Sequence, residues 1–225
     1  MASGPLILAS ASPRRHDLLT ALGVSFEVRP AAIDETSPEQ EPSRLAEGLA
    51  LRKARVIAAE GRAVLGADTI VVSYGPYGSD ESDESDGSDG SDGSVGRVLG
   101  KPADAAEARV MLASLRSRTH EVITAVAVVA GNRVAADCVR TQVRMRAYSD
   151  AEIESYVASG SPLDKAGAYA IQDEQFHPVK TADGCICSVI GLPLWTTRRL
   201  LRAAAGIETA EPGYERCAAC PLRKP

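Results

Sequence analysis

Residues 122–129, Val-Ile-Thr-Ala-Val-Ala-Val-Val, constrain the fold more than any other stretch of this chain. The run carries no charge and is rich in β-branched residues, so it suits a central strand buried on both faces. Helix signals stand on either side of it in the sequence. From Ser43 to Glu60, Leu45, Leu49, Lys53, Val56 and Ile57 recur on one side of a predicted helix. Ala103–Ser117 is rich in Ala and Leu, Ser149-Asp150-Ala151-Glu152 is a capping box, and Pro193–Ala204 reads as a last helix. Strands are expected at 6–9, 26–29, 64–72, 97–99 and 185–190. Val139, Thr141, Val143 and Met145 alternate with polar residues, as in a half-exposed strand. Strands and helices alternate, so the fold class is α/β with a mixed sheet.

Two segments stand apart in composition. Residues 73–97 are Gly, Ser, Asp and Glu with little else, too polar to offset the entropy of ordering. They read as a disordered acidic insertion in a hairpin whose arms are Ile70-Val71-Val72 and Arg97-Val98-Leu99. Residues 208–225 read as a flexible extension after a domain spanning 1–207. That extension holds Cys217 and Cys220, which with Cys185 and Cys187 are four of the five cysteines. A Cys₄ metal site is conceivable, but the first pair is spaced wrongly for a zinc ribbon, and a tail with incidental thiols is the favoured reading.

Composition narrows the function classes. The net charge is −5, and seven acids between Ser79 and Ser94 account for it; the remainder is slightly basic. Aromatic residues make up 4% of the chain, too few for a base-stacking platform, and no basic helix is present, so nucleic acid is not an expected partner. Leu6–Leu8 is too short for the apolar core of a secretory signal, and no apolar run reaches the length of a membrane span. A cytoplasmic, non-membrane protein with free thiols is expected.

The chemistry begins at Leu6-Ile7-Leu8-Ala9-Ser10-Ala11-Ser12-Pro13-Arg14-Arg15. An apolar strand stops at small hydroxyl residues, and Ser12-Pro13 opens a helix. Arg14 and Arg15 fall in its first turn, where the helix dipole disfavours cations. A polyanion bound there explains them, because N–H groups, hydroxyls and guanidinium forks all bind phosphate oxygens. Asp68 lies within the apolar strand Gly66-Ala67-Asp68-Thr69-Ile70-Val71-Val72, a costly place for a carboxylate without a metal or a cation. Asp34 and Glu35 supply loop carboxylates, while Lys53 sits on an apolar helix stripe. Lys101 and Lys165 occupy short special contexts. Several separated cations with one or two acids suit metal-assisted attack on a phosphate chain. The loop Gly-x₄-Gly-Lys-Ser/Thr of a P-loop enzyme is missing.

These motifs resemble the Maf family of nucleoside triphosphate pyrophosphatases. The match runs through Leu8–Arg15, Asp34-Glu35, Lys53-Ala54, Gly66–Val71 and Gly100-Lys101-Pro102. It continues in His120–Val126, Leu163–Gln172 and Val189–Leu194. The resemblance implies an elongated mixed-sheet α/β fold of two lobes with a central cleft, as in Maf and ITPase proteins. It implies hydrolysis of a nucleoside triphosphate to the monophosphate and pyrophosphate, a house-cleaning role, and a divalent cation, Mg²⁺ or Mn²⁺. Asp68 then corresponds to the catalytic proton acceptor. Ser10, Arg15, Lys53, Lys101 and Lys165 correspond to phosphate-binding positions, and Glu35 joins Asp68 at the metal. Arg14, Thr69 and Gln172 match the branch that prefers dTTP and UTP; a Gln amide offers the donor and acceptor that a pyrimidine edge requires. A homodimer is compatible with the resemblance. The alternative is a nucleotide-binding regulator of cell division without turnover.

Overall fold

A computed structural model describes residues 4–58, 61–74 and 96–223. The chain opens with β1 (Leu6–Leu8), α1 (Pro13–Thr20) and β2 (Phe26–Val28). Next come α2 (Pro42–Ile57), β3 (Ala63–Ser73), β4 (Arg97–Leu99), α3 (Ala105–Leu115), β5 (Thr119–Ala130) and β6 (Arg133–Met145). Then follow α4 (Asp150–Ala158), β7 (Val179–Asp183), α5 (Ile186–Ile190) and α6 (Leu194–Ala205). The strands form one mixed seven-stranded sheet in the order β2-β1-β3-β5-β6-β7, with β4 paired to β3. β1 is parallel to both β2 and β3, whereas β4 runs antiparallel to β3 and β7 antiparallel to β6.

The patterning of the sequence is met where it is strongest. All eight residues from Val122 to Val129 are buried within β5. In β6 Val139, Thr141, Val143 and Met145 point inward, and the residues between them are exposed. A two-residue turn joins these strands, with Gly131 at a φ of +59°, a conformation favouring glycine. The Ser149 capping box opens α4 with both of its reciprocal bonds. The arms of the expected hairpin pair as Val71–Leu99, Val72–Val98 and Ser73–Arg97. Most of the acidic insertion between them, residues 75–95, lies outside the described residues.

Three expectations are corrected. Residues 185–190 are not a strand: Ile186–Ile190 form helix α5 between Gly184 at φ +128° and Gly191 at φ +127°. The β-branched residues suggest a strand, but the glycine bends on both sides redirect the chain. The strand at this sheet edge is β7, from the polar stretch Val179–Asp183. On α2 the inward stripe is Ala46, Leu49, Ala50, Lys53 and Ala54, and Val56 is exposed. Finally, residues 208–223 are docked rather than flexible. The Ala210 and Gly213 N–H groups donate to the Leu22 and Ala21 carbonyls at 3.1 Å each, and Cys217 and Cys220 are buried.

By contacts the chain divides into two units. The first holds residues 1–69, 123–141 and 184–225; the second holds 70–122 and 142–183. The first contains β1, β2, α1, α2, α5, α6 and the C-terminal segment, and the second contains α3, α4, β4 and β7.

Candidate active site

In the first unit, Gly66 sets the distance between α2 and β3. A Cβ at this position would lie 2.2 Å from the Ala50 carbonyl oxygen and 2.8 Å from the Ala54 nitrogen. Only glycine lets the helix backbone approach the strand so closely. That approach places Lys53, which faces inward from α2, against Asp68 on β3. The Lys53 ammonium donates to Asp68 Oδ1 at 2.6 Å, and Glu35 Oε1 lies 2.7 Å from the same nitrogen. Lys53 and Asp68 are buried, while Glu35 is exposed on its loop. The cation thus gathers two carboxylates, compensating for the burial of Asp68 in an apolar strand.

Arg15 is fixed from three sides. Its Nε donates to the Gly191 carbonyl at 2.9 Å, and its two terminal nitrogens donate to Ser10 Oγ at 3.2 Å and Thr69 Oγ1 at 3.1 Å. Desolvation pushes the guanidinium pKa below its ordinary value, and the negative charge of Asp68 opposes that shift. The group stays cationic, because arginine starts far above neutrality. Thr69 continues the chain of bonds. Thr124 spends its only hydroxyl hydrogen on the Ser188 carbonyl at 2.7 Å. The Thr69–Thr124 contact at 2.9 Å is therefore donated by Thr69, leaving a Thr69 lone pair to accept from Arg15. Thr69 accordingly holds an arginine in place, in addition to any part it plays in nucleotide choice.

Ser10 follows β1, is buried, and also accepts from the Ser12 N–H at 3.3 Å. Ser12 occupies the N-cap of α1, but its side chain makes no capping bond. Arg14 is half-buried in the first turn of α1.

In the second unit, Lys101 is exposed just after β4 and Lys165 lies on the loop after α4. The two loops are tied by the Gly167 N–H donating to the Gly100 carbonyl at 3.0 Å. Gly167 has a φ of +68° and lies against Val71 of the same unit, where a Cβ would come within 3.0 Å of a methyl carbon. Lys165 Nζ bonds to Asp164 at 2.5 Å and to the Ser161 carbonyl. His120 Nε2 and the Tyr169 hydroxyl are 2.7 Å apart, anchoring this loop to β5. Gln172 is half-buried in the turn that follows.

The structure therefore brings together two bonded groups in the first unit, Lys53 with Asp68 and Glu35 and Arg15 with Ser10 and Thr69, which meet at the neighbouring residues Asp68 and Thr69, and it ties the Lys101 and Lys165 loops together in the second. Sequence reasoning assigns no role to Thr124, Ser188 and Gly191, which complete the Arg15 network. A threonine in an otherwise apolar strand is the one signal at position 124. Asp68 and Glu35 offer carboxylate oxygens of the kind a hard divalent cation prefers, and in this structure both are paired with the Lys53 ammonium.

Residues 5–204 match the family described as Maf-like protein. The chain belongs to the Maf family. Among its relatives, a protein of Thermomicrobium roseum named dTTP/UTP pyrophosphatase is 47% identical over 225 residues, covering 96% of this chain and 93% of the relative. Proteins of the same name are 45% identical in an Anaeromyxobacter species, covering 88% and 89%, and 40% identical in Citrifermentans bemidjiense, covering 92% and 99%. Membership in the Maf family agrees with the mixed α/β sheet and with the order of motifs along the chain.

Proposed function

We propose that this chain is a nucleoside triphosphate pyrophosphatase that hydrolyses dTTP, UTP and related pyrimidine nucleotides to the monophosphate and pyrophosphate. The observation that carries this reading is the buried Lys53 ammonium held between Asp68 and Glu35. It sits in a chain whose relatives bear the name dTTP/UTP pyrophosphatase.

Water attacks phosphorus, the anhydride bond between the α- and β-phosphoryl groups breaks, and pyrophosphate leaves. Asp68 accepts the proton of that water, with Lys53 holding the carboxylate in orientation through Oδ1. Arg15, fixed by Ser10, Thr69 and Gly191, presents a cation that needs no reorganisation as charge develops on phosphate oxygens. Lys101 and Lys165 are assigned to further phosphate oxygens. Arg14, Thr69 and Gln172 are assigned to nucleotide choice. Asp68 and Glu35 would hold a divalent cation, Mg²⁺ or Mn²⁺, which supplies charge neutralisation on the phosphate chain.

Steady-state release of pyrophosphate from a panel of triphosphates with Mg²⁺ tests the proposal. Asp68→Asn keeps the shape of the side chain and removes its basicity. We expect it to lower turnover about 10²- to 10⁴-fold, the range for loss of a general base. Circular dichroism of this variant should match the parent. A near-normal rate would take Asp68 out of the mechanism.

A further inference from the structure

The active-site cluster uses none of the five cysteines. Four of them meet in the first unit. Cys185 and Cys187 flank the start of α5, and Cys217 and Cys220 belong to the C-terminal segment. All four are buried, with exposures of 1%, 1%, 1% and 7%. Cys187 Sγ and Cys217 Sγ are 2.7 Å apart. Cys185 makes side-chain hydrogen bonds with both Cys187 and Cys220. The thiol contacts therefore run Cys217–Cys187–Cys185–Cys220, linking two segments about thirty residues apart in the sequence.

Backbone amides are also aimed at these sulfurs. Cys185 Sγ accepts from the N–H groups of Ser188 and Cys187, and Cys220 Sγ accepts from Leu222. An N–H directed at sulfur stabilises the thiolate, the form that binds metal. A cluster of four neutral thiols has no need of such amides.

We infer that Cys185, Cys187, Cys217 and Cys220 form a structural site for a thiophilic divalent cation of the zinc class, and that this site fastens the C-terminal segment to α5. Zinc takes four cysteine thiolates in a tetrahedron with metal–sulfur bonds of about 2.3 Å, which puts the sulfurs roughly 3.8 Å from one another. Binding thus opens the Cys187–Cys217 contact by about 1 Å and closes the chain of contacts around one ion. The pair Cys185-x-Cys187 and the pair Cys217-x-x-Cys220 each supply two ligands on a short stretch of chain. Further contacts surround the site: the Trp195 indole N–H donates to the Cys217 carbonyl at 3.2 Å, and Thr141 bonds to the backbone of Cys185.

The site has a structural consequence. α5 carries the Ser188 carbonyl that orders Thr124, and Gly191 after it carries the carbonyl that holds Arg15. A metal clamp on α5 therefore steadies the support of the active-site arginine without touching substrate.

The test uses the full chain purified under reducing conditions. Its metal content is measured, and Co²⁺ is exchanged into the protein. We expect about one zinc per chain and, with Co²⁺, the thiolate charge-transfer absorption and intense d–d bands of a tetrahedral sulfur site. A thiol reagent should modify about one cysteine of the five, the half-buried Cys138, until a chelator is added, and all five afterwards. The double variant Cys217→Ser/Cys220→Ser should lose the zinc. If that variant does not fold, the cobalt spectrum of the parent decides the matter. Full chain with no zinc, and none taken up from added Zn²⁺, would overturn the inference. So would a Cys187–Cys217 disulfide mapped by mass spectrometry in metal-free protein, or zinc retained by a folded double variant. None of these results bears on pyrophosphate release, so this inference and the proposed activity fail separately.

Discussion

Asp68 shows how a single residue imposes demands on its neighbours. A carboxylate in an apolar strand needs a cation, and Lys53 supplies it at 2.6 Å. Thr69, the next residue, turns to the other side and holds Arg15. Thr69→Val keeps the volume but leaves the Arg15 guanidinium without one acceptor. A hydrogen bond to a charged group contributes about 1.5–3 kcal/mol to the folded protein, so the melting temperature should fall by roughly 3–12 °C, and the loosened guanidinium should lower kcat/KM for dTTP roughly tenfold. An unchanged kcat/KM would show that the guanidinium does not rely on Thr69. His120 makes a different kind of prediction. Burial pushes its imidazole down to about 3. The unfolded chain takes up that proton near the ordinary histidine value, whereas the folded chain resists until the pH is far lower. Stability present at neutral pH is therefore lost as the pH falls from about 6.5 towards 3, by up to about 5 kcal/mol at the limit. Urea denaturation across that window should show the slope in the parent and a weaker one in His120→Gln. Equal slopes would mean that His120 is not kept neutral by the fold.

Elements meet closely only where side chains permit it, and Gly66 is the clearest case. The approach of α2 to β3 would leave only 2.2 Å between a Cβ at Gly66 and the Ala50 oxygen. Gly66→Ala must push the helix away from the strand, so we expect a loss of about 1–3 kcal/mol in denaturant titration and a weakened Lys53–Asp68 contact, seen as a drop in turnover. A fully stable, fully active variant would contradict the packing described. Most elements are legible in the sequence because one physical signal dominates each of them. β5 is apolar throughout, β6 alternates, and α4 carries its capping box. Sequence and structure part where signals compete. Ile186, Val189 and Ile190 favour a strand by type, yet two glycines of positive φ enclose them as a helix. Val179–Asp183 is half polar and becomes a strand by pairing with β6, a partner no local signal reveals. For the site, Asp68, Lys53 and Arg15 are legible as charges in unsuitable places. The carbonyls of Ser188 and Gly191 are not, since any residue carries a carbonyl and only the fold aims it.

For the molecule as a whole, the C-terminal segment is part of the fold, held by backbone bonds to Leu22 and Ala21 and by its buried cysteines. The strands on either side of the acidic stretch pair in register. Deleting residues 76–94, a polar stretch that holds none of the proposed site residues, should leave pyrophosphate release within about twofold of the parent; a large loss would give that stretch a functional part. The proposed activity depends on Asp68 activating water against a pyrimidine nucleoside triphosphate. The most direct measurement is product analysis of dTTP and UTP incubated with Mg²⁺ and either the full chain or its Asp68→Asn variant. We predict monophosphate and pyrophosphate in equal amounts from the parent and almost none from the variant. Diphosphate with orthophosphate, no turnover by folded parent protein, or equal rates for the two proteins would contradict that prediction.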